Sequence, residues 1–312
     1  MDRLQAMATF VRVVETGSFS AVARETNTTQ GAVSKQVAAL EKTLGARLLT
    51  RTTRSLALTE EGERYFEQAR RLVAEIAEAE SELQRGEQQL HGWLRVAGSV
   101  GFGRLKLMPV VRSFLARHPQ VRIDLRLNDS FIDLVKEGID ASICIGELPD
   151  SSLLARRVGR ARRLLLAHRD YLRTLPAGQR PPRVPEDLAQ HNCIVYTAPA
   201  HSHLWSFTAG PGAPDAPGTQ RAVQVEGTLQ TNSSEVIRAS LLAGMGIAHA
   251  PEWLMDREIA SGEMVHLLPE WLSKPMPIHV VTPPQRRHSA KVRAFADHVE
   301  QALARESPQT LI

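Results

Sequence analysis

Apolar residues along the first half of this chain recur at helical spacing in distinct runs. Leu4, Met7, Ala8, Val11 and Val14 mark the first run, which Gly17 ends. Ser18 stands where it can cap a second, FSAVARET, by accepting a backbone N–H. Asn27 and Thr28 make a turn. Thr29 caps a third run, whose Val33, Val37, Leu40 and Leu44 form one stripe before Gly45 closes it. The opposite face carries Gly31, Lys35 and Ala38, flanked by Ala32, Ser34 and Ala39, where a solvated helix carries Glu and Lys throughout. ARLLTRTTRSLALT then supplies two short β-prone pieces, with Arg51 and Arg54 around a polar tip. Helix, helix, tight turn, helix and basic hairpin is the order of a winged helix-turn-helix.

That order explains the bare face. A recognition helix lies in the major groove of double-stranded DNA, about 12 Å wide, and bulky side chains all round would hold it off. Gly31, Ala32, Ser34 and Ala38 permit approach, while Gln30, Ser34 and Lys35 supply hydrogen bonds near the helix start. Gln30 suits adenine N6/N7, and Lys35 suits guanine O6/N7 or a phosphate. Arg51 and Arg54 suit phosphates or the minor groove. The alternative is an alanine-rich helix packed on both sides; the basic hairpin and the preceding helix pair count against it.

A fourth run begins after Thr59, a further cap, with Glu60 and Glu61 in its first turn. Tyr65, Ala69, Leu72, Ile76, Ala79 and Leu83 are separated alternately by 4 and 3 residues, the 3.5-residue period of a coiled-coil seam. Self-pairing would set two recognition helices on successive turns of DNA. The alternative is an amphipathic helix packed on its own domain.

From Trp93 the pattern changes to short apolar strands alternating with helices. LRVAG, the alternating VRIDLRL and ASICIG read as strands, with helices predicted over the residues after GSVGFG and over FIDLVKEG, giving a parallel sheet. A second lobe follows from about residue 163, with a Pro/Gly-rich loop at 198–218, the strand VQVEG, the helix SSEVIRASLLAG and the strand GIAHA. PMPIHVVTP and a last helix return to the first lobe. Ligands in open α/β sheets bind beyond the carboxyl ends of the strands. The helix start after GSVGFG, with Ser99 and the Val100 amide, and the helix start at LQTNSSE, with Thr231, Asn232 and Ser233, are predicted to face each other and clamp a small carboxylate. Asn128 ends the alternating strand and is a further candidate. Each of these residues reads equally as a plain helix cap or loop residue.

Charge sharpens the picture. Residues 1–59 hold eight Lys/Arg and four Asp/Glu, and residues 60–92 hold four and nine. A basic head before an acidic segment fits a polyanion partner. Composition is that of an ordinary globular chain, with 43% apolar and 23% charged residues. Two cysteines, Cys144 and Cys193, read as small buried hydrophobes in a reducing compartment. No run of 18 apolar residues is present, so no membrane partner is expected, and no signal peptide is recognised at the N-terminus, so the protein is predicted to be cytoplasmic. There is no GxSxG, HExxH, P-loop or Cys/His metal spacing, and the glycines of GSVGFG have the wrong spacing for a dinucleotide fingerprint. No catalytic residue, metal or cofactor is therefore expected, and the chain is not predicted to be an enzyme.

ETGSFSAVARETNTTQGAVSKQVAALEKTLGARLLTRTTRSLALTEEG resembles the DNA-binding head of LysR-type transcriptional regulators without a gap over about residues 3–62, and the resemblance runs on to about residue 303. Gly31 stands where that family often has Ser. Lys35 stands where it often has Arg, leaving a point charge in place of a bidentate fork. The resemblance implies an α/β protein overall: a winged helix-turn-helix (1–59), a linker helix that dimerises (60–92), and a two-lobed, periplasmic-binding-protein-like effector domain (93–312; lobe I about 93–162 and 269–303, lobe II about 163–268). It further implies a transcription regulator whose DNA binding answers to a small organic acid, assembled as a homodimer or homotetramer. Ser99 and Thr231 match the family's effector positions, while Cys144 stands where Arg is common, which counts against a dianionic effector. A solute-binding protein or a small-molecule enzyme are the alternative readings of the body.

Overall fold

The computed structural model describes residues 2–51, 56–83, 90–130, 132–197 and 203–306. Arg54 lies outside the described residues, as do the side chains of Arg51, Ala79 and Leu83. The chain forms two compact units, Met1–Gln89 and Leu90–Ile312.

In the first unit, α1 (Arg3–Thr16), α2 (Phe19–Glu25) and α3 (Gln30–Leu44) precede an antiparallel hairpin of β1 (Leu49–Arg51) and β2 (Leu56–Leu58), and α4 (Glu60–Leu83) follows. Local chemistry sets each boundary. Gly17 and Gly45 take φ of 65° and 68°, the left-handed conformation that ends α1 and α3. Ser18 Oγ accepts from the Ala21 N–H, Thr29 Oγ1 from Ala32 and Thr59 Oγ1 from Gly62. Phe10, Val13, Val22, Val33, Val37, Leu40 and Leu48 close one core.

The first half of α4 belongs to that core. Ala69 is fully buried in it, and Tyr65, Phe66 and Val73 pack against it, Tyr65 and Phe66 with ring centroids 5.8 and 6.3 Å from Phe10. Tyr65 and Ala69, predicted as the start of a self-pairing seam, therefore serve the head. The next seam positions, Leu72 and Ile76, are exposed.

In the second unit, β3 (Gly92–Gly98), α5 (Val100–Phe102), a π-helical turn at Gly103–Leu107, α6 (Met108–Arg117), β4 (Val121–Leu127), β5 (Ala141–Ile145) and β6 (Leu154–Ala161) build the first lobe. The second comprises β7 (Arg163–His168), α7 (Arg169–Arg173), β8 (Cys193–Tyr196), β9 (Leu204–Ala209), β10 (Gln220–Gln224), β11 (Leu229–Thr231), α8 (Ser234–Leu242), β12 (Ile247–Pro251), α9 (Asp256–Ala260), β13 (Met264–Leu267) and β14 (Trp271–Leu272). The chain returns to the first lobe with β15 (Met276–Thr282) and α10 (Ala290–Glu306). Sheet orders are β4-β3-β5-β15-β6 in the first lobe, and β11-β8-β12-β7-β13 with a small β10-β9-β14 sheet in the second.

Four expectations change. The first sheet is mixed: β15 runs antiparallel to both β5 and β6, because the return crossover enters from the opposite end. Within FIDLVKEG, the described residues 132–138 form a turn rather than a helix. Asp133 Oδ1 takes the Val135 and Lys136 N–H groups, and Gly138 at φ 64° reverses the chain at once. The 198–218 segment contains β9, whose Trp205, Phe207 and Ala209 are buried in alternation, and Leu204–Thr208 of which pair with β10. Finally, Trp271 is buried in the second lobe's core and pairs with Ala209, so the chain crosses back after Leu272 rather than at about 269.

Candidate DNA-binding surface and effector cleft

On α3, Val33, Val37 and Leu40 are buried, while Gln30, Gly31, Lys35 and Ala38 are exposed and Ser34 is half-buried. Packing does not demand a glycine at 31. A Cβ there would meet only Thr29 Oγ1, at 3.9 Å, so its space opens outward. Two side chains hold α3 in place, and neither was singled out from the sequence. Thr9 Oγ1 donates to Gln36 Oε1 at 2.9 Å, tying α3 to α1. Glu41 Oε1 accepts the Leu48 and Leu49 N–H groups at 2.8 and 3.1 Å, fixing the start of the wing. Arg51 ends β1 opposite Leu56, next to the hairpin tip. Not every cation of the head is at liberty: Arg12 is held by Glu25 and Glu15, whose hydrogen bonds raise its pKa against the opposing effect of burial.

In the second unit the open-sheet rule points to the carboxyl ends of the strands of the two lobes as the candidate ligand site. The predicted clamp of two helix starts does not form as expected. The Val100 N–H is already taken by Asp129 Oδ1, at 2.9 Å, and Ser99 makes no side-chain cap. A carboxylate of the protein thus occupies the place proposed for one of the ligand. The two helix starts also touch: a Cβ on Gly101 would lie 2.4 Å from Ser234 Oγ. Thr231 Oγ1 accepts the Ser233 N–H, and Asn128 Oδ1 accepts that of Ser130. Both are used within their own loops, and Asn128 and Asn232 are exposed. Asp129 escaped the sequence reading because its partner lies 29 residues away.

The two lobes are joined along the segment 100–107. Arg104 makes a forked ion pair with Glu235 at the start of α8, and Lys106 pairs with Asp256 at 2.8 Å. Phe102 stands edge-on to Trp253 at 5.3 Å. The π-turn itself is marked by the Met108 N–H reaching Gly103 O; such turns are common at functional positions. On the second lobe's edge, Tyr196 is pushed up by burial and by Asp129, against the pull of Arg163. Arg163 is pushed down by burial, with Tyr196 opposing. Cys193 is buried and its thiol is pushed up to about 12, whereas Cys144 is only half-buried, its thiol raised by burial against a hydrogen bond with Ser142.

A winged helix-turn-helix and a two-lobed α/β cleft in one chain define a DNA-binding regulator with a ligand-binding body. Residues 4–63 match the model of the bacterial regulatory helix-turn-helix protein, lysR family, and residues 87–304 match that of the LysR substrate binding domain. The regulator CrgA of Neisseria meningitidis serogroup C is 34% identical over 300 residues, covering 96% of each chain. DmlR of Escherichia coli is 33% identical over 306 residues, covering 98% of this chain and 96% of its own. The solved structure of CrgA from Neisseria meningitidis aligns with a TM-score of 0.58 at 33% identity, over 96% of this chain and 98% of that one. The chain belongs to the LysR family of transcriptional regulators, with a DNA-binding helix-turn-helix and an effector-binding domain. Among the described residues no helix is long and apolar enough to cross a membrane.

Proposed function

We propose that the protein regulates transcription as a homo-oligomer paired through α4, binding promoter DNA with α3 and the wing, under the control of a small organic acid held between the two lobes. The observation that carries the DNA-binding part is the outward face of α3, where Gly31 opens onto free space beside exposed Gln30 and Lys35. Gln30, Ser34 and Lys35 read bases and phosphates; Arg51 and Arg54 hold the backbone. For the cleft, Ser99, Asn128, Thr231 and Asn232 remain the proposed effector contacts, whereas the Val100 amide is committed to Asp129. Exposed Leu72 and Ile76 support pairing through α4. An effector favouring one closure of the lobes shifts the population between DNA-binding states. A chromosomal ligand places this activity in the cytoplasm.

A titration of the DNA upstream of the protein's own gene, against a scrambled duplex and at several salt concentrations, tests the reading. The wild type should prefer its operator and weaken steeply with salt. Lys35→Ala should weaken binding and reduce the magnitude of the log K against log salt slope by about 1 if Lys35 contacts phosphate. An unchanged affinity and slope would remove Lys35 from the interface. Equal, weak binding to both duplexes would count against the operator choice and the head's assignment together.

A further inference from the structure

The cleft-facing edge of the second lobe carries a cation that the fold leaves without a counter-charge. Arg163 opens β7 and lies opposite Pro251 at the end of β12. Because β8 runs parallel to both β11 and β12, Tyr196, Thr231 and Pro251 end at this same edge. The Arg163 Nε–H is buried without an acceptor, and no ion pair to its guanidinium is present among the described residues. The neighbouring acid does not serve it, since Glu252 pairs with Arg162 at 3.5 Å. Two further buried donors on this edge also lack partners: Ser234 Oγ, in the first turn of α8, and Trp253 Nε1, two residues beyond Pro251. Tyr196, whose ionisation its burial disfavours, adds a hydroxyl.

An uncompensated, largely desolvated charge is strongly destabilising, and buried donors without acceptors add to the cost. An arginine at such a place is explained by a binding partner that brings the negative charge. We propose that Arg163 is the residue that binds the anionic group of the effector, and that this effector is a monocarboxylate on an apolar or aromatic body. The inference rests on the reading of the cleft as the effector site. One negative charge is specified because Arg163 is a single cation and Asp129 faces Tyr196 from the first lobe, where it repels a second. The apolar body is specified by the half-buried Trp253 beside this edge, whose ring is backed by the buried Phe102.

The test uses the full chain with Arg163→Met and, separately, Thr231→Val, followed by thermal unfolding. Without ligand, Arg163→Met should raise Tm by about 2 °C or more, because a charge that stabilises nothing in the free protein is removed. Benzoate, phenylacetate and acetate, each against sodium chloride at equal ionic strength, should raise the wild-type Tm, with the aromatic acids ahead of acetate. The shift should vanish in Arg163→Met. A lower ligand-free Tm in Arg163→Met would show that the side chain supports the fold and would overturn the proposal. So would the absence of any carboxylate shift in the wild type. A shift lost in Thr231→Val but kept in Arg163→Met would overturn the role of Arg163 while leaving the cleft reading intact. A shift kept in both variants would place the anion outside the cleft and overturn both.

Discussion

His249 shows how a residue can shape the molecule from inside its core. Its ring is enclosed by Trp205 and Phe207, at 5.4 and 5.2 Å, and its Nε2 lies 2.6 Å from Ser273 Oγ. Burial, reinforced by Arg163, holds its pKa well below the ordinary 6.5. The unfolded chain therefore takes up a proton below about pH 6.5 that the folded chain refuses. Stability from this group is complete above that pH and is lost as pH falls, by about 1.4 kcal/mol between about pH 7.5 and 5.5. Urea unfolding at those pH values should show His249→Gln losing less than the wild type by that amount; equal losses would mean that His249 is protonated in the folded state. Residues of this kind were invisible in the sequence, as was Asp129 at the Val100 N–H, because their partners come from distant strands. The caps Ser18, Thr29 and Thr59 were legible because each acts on an amide three residues on.

Elements were legible where a period was long and strong, as in α1, α3, α4, β15 and α10, and misread where two short-range signals competed. FIDLVKEG has helical residues, yet Asp133 and Gly138 close a turn within five residues. The strand β9 was hidden by Pro199 before it and the Pro/Gly run at 210–218 after it. α4 is the instructive case, since one seam serves two purposes. Tyr65 and Ala69 are held by the head's own core, so among the described seam positions Leu72 and Ile76 are the apolar ones left for a partner. Replacing Leu72 and Ile76 together by Glu should leave the head folded, because both are solvent-exposed in the single chain. It should shift the oligomer toward monomer, since like charges facing each other at a coiled-coil seam disfavour pairing. Sedimentation velocity would read the change, with circular dichroism checking the fold. Retention of the wild-type oligomer would show that self-association runs through another surface.

At the scale of the two-lobed body, the junction between the lobes rests on contacts that the sequence does not bring together. Arg104 and Glu235 are 131 residues apart, and Lys106 and Asp256 are 150 apart, yet both pairs bridge the lobes from one short segment, 104–106. These pairs are partly exposed, so each contributes about 0.2–1 kcal/mol. Together they hold the junction by roughly 1 kcal/mol, about fivefold in the equilibrium for its local opening. The Gly101–Ser234 approach adds a steric stop at the same junction, because any side chain at 101 would press on α8. Arg104→Gln combined with Lys106→Gln should therefore loosen the lobes without unfolding either, since each lobe keeps its own core. Hydrogen exchange should quicken several-fold for amides in residues 100–108 and at the start of α8, with β3 and β12 unchanged. Raising the salt concentration in the wild type should move the same amides in the same direction, as screening weakens exposed pairs. If exchange there is indifferent to both the double substitution and salt, apolar contact such as Phe102 on Trp253 holds the lobes. An effector would then have to displace packing rather than compete with charge.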